Sequence, residues 1–210
     1  MLFAMKASVA LMIGLLPFLV VQSPLAVEGG QAAVAVLEED YSLYDRVIGD
    51  KFLTSQIQLV VLERMTVFRL MPQQDGPTTM DVFQQHGYFD GLLSQDLVRD
   101  FFGANQRAAR LEDRFQFGVR YRFVPEGTTE DSEAGAALLV VHNPAVPVHA
   151  PSVLDRLAFS RVGRTLRNDQ ALVYVENRRR DGTGAGFLVW FRRHGQEWEL
   201  FDTEVVWTMR

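Results

Sequence analysis

Three arginines, Arg161, Arg164 and Arg167, stand with Ser160, Asn168 and Asp169 directly ahead of the apolar run Ala171-Leu172-Val173-Tyr174-Val175. Guanidiniums gathered on one loop bind anions, and a serine beside a base can act as a nucleophile. The spacing fixes no base next to Ser160, so a polar residue at a strand end is the simpler reading. Two imidazoles, His142 and His149, with Asp155 would offer a nitrogen and oxygen donor set for a metal. A loop spacing of seven fixes no geometry for it, and no metal or cofactor is expected. Glu38, Glu39, Asp40, Asp45 and Asp50 offer carboxylate pairs for acid and base work, and they equally describe the wet face of a helix. The glycines of Gly182-Thr183-Gly184-Ala185-Gly186 resemble a dinucleotide loop only in spelling. That loop needs a strand before it and a helix after it, whereas strands flank this one, so it reads as a hairpin turn.

Those side chains must be carried by an order of elements that the hydrophobic pattern supplies. Val36 to Ile48 places Leu37, Tyr41, Tyr44 and Ile48 at helical spacing, with acids in the first turn where the helix dipole favours them. Ile57 to Leu62 reads as a largely buried strand, with a bend near Glu63 and Arg64. Thr78 or Thr79 caps a helix from about Met80. Asp90 to Leu111 reads as one or two helices, with Leu93, Leu97, Phe101 and Phe102 on the apolar face, Ser94 as cap and a break at Gly103.

Phe115 to Phe123 alternates apolar and polar residues for nine positions, the pattern of a strand with one wet face. Pro125 to Gly135 reads as an acidic loop, Ala136 to His142 as a short strand and Asn143 to Ser152 as a proline-bearing connection. Four strands then follow, near Arg156 to Val162, Gln170 to Asn177, Gly186 to Arg193 and Glu197 to Trp207. Short glycine-bearing gaps make them an antiparallel meander. The expected fold is α+β: N-terminal helices laid on one face of a curved antiparallel sheet that ends in a four-strand meander.

The N-terminus sets the expected compartment. One charge in Met1 to Lys6 precedes an uncharged, largely apolar run from Ala7 to Val21, interrupted by Gly14 and Pro17, which has the length and flanks of an export signal. The expected organisation is a signal over 1–26 with cleavage between 26 and 32, a linker over 27–35 and a single domain over 36–210. The chain would be periplasmic or extracellular, touching a membrane only through that signal if uncleaved. With no cysteine in 210 residues, disulfides, thiol nucleophiles and thiolate metal sites are excluded.

The net charge of -5 is unevenly spread: nine arginines face only Asp169, Glu176 and Asp181 between Arg156 and Arg193, so a basic stretch follows an acidic one. Trp190, Trp198 and Trp207 with Phe187, Phe191 and Phe201 resemble a base-stacking surface when joined to these arginines. The export signal argues against nucleic acid, and core packing accounts for the rings.

The C-terminal third, Phe159-Ser160-Arg161-Val162-Gly163, then Gln170 to Val175, a glycine turn, and Trp198 in a strand ending at Trp207, resembles a group of uncharacterised exported bacterial proteins. The Tyr41 to Tyr44 helix, the Leu59 to Thr66 strand and the Asn105 to Phe115 segment are similar as well. In that group an apolar aromatic and an asparagine tend to follow Ser-Arg-Val-Gly, where this chain has Arg164 and Thr165. The resemblance implies an exported single domain and no established activity. Helices followed by a bent meander are also similar in outline to a cone-like, nuclear-transport-factor-type fold. The function expected is a non-catalytic domain of the bacterial envelope that binds a small molecule or another envelope protein through a pocket or edge of its sheet. The alternatives are a hydrolase or isomerase using Asp and Glu in such a pocket, and an anion-binding module built on Arg161, Arg164 and Arg167.

Overall fold

In the computed structural model the described residues are 35–74, 78–124, 152–179 and 181–210, all within the compact unit Ala33–Arg210. The expected signal, the expected strand from Ala136 to His142 and the His142/His149 pair lie outside them. Helix α1, Asp40–Val47, runs on into a π-helical turn, Ile48–Phe52, and buries Tyr41, Leu43, Tyr44, Val47 and Ile48. Leu37, expected on that apolar face, precedes the helix and is exposed; its carbonyl instead accepts from Asp40 N–H at the helix start.

Strand β1, Ile57–Leu62, has the expected bounds. Helix α2, Met80–His86, begins after Thr79, whose hydroxyl accepts from Val82 N–H, and ends at Gly87 with φ 65°. A left-handed turn follows, in which Phe89, Asp90 and Gly91 all have positive φ. Helix α3, Gln95–Ala104, starts after Ser94 and continues through Gly103, where a break was expected. Asn105 to Leu111 is not helical. It lies against the 64–66 segment, with Leu111 N–H donating to the Arg64 carbonyl and Thr66 N–H to that of Ala109.

Of the nine alternating residues from Phe115, only β2, Arg120–Phe123, joins the sheet, because Gly118 turns the chain with φ 87°. The alternation still predicts facing: Phe115, Phe117, Tyr121 and Phe123 pack together as a row of rings. The remaining strands are β3 (Ser152–Phe159), β4 (Gly163–Arg164), β5 (Gln170–Arg178), β6 (Gly184–His194) and β7 (Glu197–Met209).

These strands order as β2-β1-β3-β5-β6-β7, with β4 added to β5. The pairs from β3 onward are the expected antiparallel meander. At the other end β1 runs parallel to both β2 and β3, so the sheet is mixed. Periodicity reports which face a residue takes and is silent on strand direction; between β1 and β2 the crossover through α2 and α3 permits the parallel pairing. The architecture is α+β, with helices on both faces of the sheet rather than one. Val173, Val175, Val189 and Phe191 pack under α1, while Leu172, Tyr174, Leu188 and Trp190 pack under α2 and α3. Residues Ala171 to Glu176 of β5 are consecutively buried, as expected of a strand covered on both sides.

Candidate functional site

The Ser160–Asp169 segment is a junction between helices and sheet. Ser160 is fully buried; its hydroxyl accepts Tyr174 N–H at 2.8 Å and donates to the Arg161 carbonyl at 2.9 Å, while its own carbonyl accepts from Tyr44 Oη. Asn105 clasps the next peptide, accepting Arg161 N–H and donating to the Arg161 carbonyl. Gly163 passes so close to α3 that an added Cβ would overlap Phe101 Cα and Cβ and stand 2.7 Å from its nitrogen. The Arg164 and Leu166 amides donate to Asp100 and Asp96 of α3. Thr165 and Asp169 close the turn, and Asn168 takes φ 54°, a conformation asparagine tolerates.

The three candidate arginines take separate roles within this junction. Arg161 Nη1 donates to the Ala104 carbonyl at the end of α3, and it is Arg164 that takes a buried carboxylate partner from the N-terminal half. Arg164 pairs with Asp40 at the start of α1, its side chain 12% exposed and that of Asp40 4%. Burial raises the Asp40 pKa and outweighs the pull of Arg164. Arg164 Nη2 lies 3.8 Å from Glu39, beyond hydrogen-bond reach. Arg167 alone is exposed.

A second buried cluster sits on the α3 face of the sheet and went unmarked in the sequence. Glu176 accepts from Tyr174 Oη at 2.7 Å and pairs with Arg69 at 3.0 Å and Arg178 at 3.1 Å. Trp207 Nε1 donates to the same tyrosine oxygen at 2.9 Å. Burial and the adjacent Glu176 carboxylate push the Tyr174 hydroxyl far above its ordinary range. Gly186 makes room for this: an added Cβ would lie 2.8 Å from Tyr174 Oη and nearer still to Trp207 Nε1. The glycines after Asp181 thus divide between a hairpin turn, where Gly182 has φ 82°, and this close approach. Tyr174 Oη, Trp207 Nε1, Arg69 Nε and Arg178 Nε each find an acceptor inside the cluster and Arg178 Nη2 donates to the Pro72 carbonyl, so the cluster ties β5 to β7 and to the 69–72 segment.

A groove of about 410 Å³ lies between α1 and the 113–116 segment, lined by Glu38, Tyr41, Ser42, Asp45, Asp113, Arg114 and Gln116. Its acids are engaged: both Asp45 oxygens accept Gln116 N–H, and Asp113 accepts from Tyr121 Oη. Partial burial and Asp113 push the Tyr121 hydroxyl up to about 12. No group of three His, Asp or Glu side chains able to hold a metal occurs among the described residues.

The third feature is β7. It is 13 residues long and forms the sheet's outer edge, and among the described residues its backbone bonds to no backbone group outside β6. Thr203 N–H turns to the Asp202 carboxylate at 2.7 Å, a side-chain substitute for a strand partner. Register with β6 puts Glu197, Glu199, Asp202 and Glu204 on one face and Trp198, Leu200, Thr203 and Val205 on the other. Phe201, at a bulge, lies 48% exposed between Trp190 at 4.8 Å and the Arg192 guanidinium at 3.5 Å. Glu204 accepts from Phe89 N–H of the left-handed turn. The acid and apolar alternation of Glu197-Trp198-Glu199-Leu200 carried this signal in the sequence, hidden behind the arginine excess of the preceding strands. No family model matches the chain, and no curated protein or solved structure matches it.

Proposed function

We propose that this chain is a non-catalytic binding domain that holds another polypeptide along the outer edge of β7. The observation that supports it is the long outer edge of β7, unpaired among the described residues, whose backbone donors and acceptors template a further strand. Among the described residues both faces of the meander are packed by helices, which leaves the β7 edge as an accessible recognition element of the sheet. Work in the cell envelope follows from the charged-then-apolar N-terminus, Met1 to Val21, read as an export signal. An anion site on Arg161, Arg164 and Arg167 is disfavoured, since the first two are spent on Ala104 and Asp40. Photo-crosslinking in cells tests the proposal. A crosslinking residue at Phe201 yields a discrete adduct with another chain, and one at Leu166, 94% exposed in the junction turn, yields none. Adducts from position 166 without any from 201 would contradict it.

A further inference from the structure

The chemistry of the β7 edge goes further and selects its occupant. The face shared by Glu197, Glu199, Asp202 and Glu204 holds four carboxylates, and the β6 residues opposite them are His194, Arg192, Trp190 and Leu188. Arg192 is the one permanent cation in that row, and its guanidinium is stacked on Phe201 and Trp190. His194 stands 3.7 Å from Glu199 and is mostly exposed. The acidic row is therefore under-neutralised within this sheet, and a strand laid outside β7 would meet it directly. The reverse face of the same strand, Trp198, Leu200, Thr203 and Val205, is uncharged, and its Trp198 and Leu200 pack against the core under α1.

A second copy is a poor occupant. Two β7 strands paired antiparallel would set their own carboxylates across from one another, and like charges directly opposite destabilise a ladder. The two bulges in β7, at Phe201 and Val206, further roughen the edge against self-pairing. An acidic or neutral strand gains nothing from the row.

Resting on the edge-binding reading above, we infer that the partner of β7 is an extended segment of another protein with lysine or arginine at alternate positions facing the carboxylate row and apolar residues between them. Its backbone completes the ladder and its cations neutralise Glu197, Glu199 and Asp202. Asp202 is freed for this when an incoming carbonyl takes over Thr203 N–H.

Fluorescence anisotropy with the full chain and labelled ten-residue probes tests this. The probes are an alternating Lys/Val peptide, the Thr/Val and Glu/Val counterparts, and the Lys/Val peptide N-methylated at alternate backbone nitrogens. The Lys/Val probe binds, weakens with added salt, and loses about tenfold in affinity with E197Q/E199Q/D202N, three exposed positions whose change leaves the thermal melt in place. N-methylation of the ladder-side nitrogens abolishes binding, and E199K improves the Glu/Val probe. Equal binding of Thr/Val and Lys/Val would overturn the cationic partner and keep the edge. Undiminished binding of the N-methylated probe, no binding of any strand probe, or dimerisation of the chain through β7 would overturn the edge reading itself.

Discussion

Gly163 shows how a single atom sets the packing of α3 on the sheet. Gly163→Ala drives a methyl into the Phe101 backbone, and neither element can yield without breaking the Arg164 and Leu166 amide bonds to Asp100 and Asp96. Urea unfolding is expected to register a loss of about 1–3 kcal/mol, and an unchanged midpoint would refute the contact. Asp40 and Arg164 make a complementary case. Asp40→Leu removes the acceptor and strands a buried guanidinium, at a cost of about 3–5 kcal/mol, while Asp40→Leu with Arg164→Met recovers most of it. The raised folded pKa of Asp40 also has a sign. Between 3.8 and that raised value the folded state binds more protons than the unfolded one, so the contribution of Asp40 falls as pH rises through the window. Asp40→Asn keeps an acceptor oxygen and flattens that part of the stability-pH curve; a slope identical to the parent's would rule Asp40 out as its source.

At the scale of elements, β5 is the strand on which both layers converge: Tyr174 ties it to Trp207 of β7 and Glu176 ties it to the Arg69 segment. Glu176→Leu leaves Tyr174 Oη, Arg69 and Arg178 without their shared acceptor inside the fold, and about 3–5 kcal/mol of stability is expected to go with it. Chemical denaturation reads this directly, and a loss under about 1 kcal/mol would mean the cluster is replaceable by solvent. Much of this scale was legible in the sequence. The Thr79 cap, the bounds of β1 and the strands of the meander follow from capping chemistry and periodicity, which act within a few residues. The parallel pairing of β1 and the helices on the second face were not legible, because they depend on which distant strands meet. The types of Ser160, Arg161 and Gly163 are explained by a junction: one hydroxyl between two peptides, one guanidinium on a helix end, one missing Cβ. The carboxylates of β7 were overlooked for the opposite reason, since charge counted along the chain conceals charge gathered on one face of one strand.

Among the described residues the buried polar groups are held in structural pairs, and the long strand β7 has a partner strand on one side alone. The two sheet edges differ sharply among the described residues: β2 is four residues and β7 is 13, acidic on one face and apolar on the other. This asymmetry makes the edge of β7, rather than any pocket, the centre of the account. Residue-resolved amide hydrogen exchange on the full chain, alone and with the alternating Lys/Val peptide, addresses it most directly. Slowed exchange confined to β7, with β2 unchanged, is the predicted result. Protection appearing at β2 or at the 160–169 junction, with β7 amides exchanging as fast as before, would contradict it.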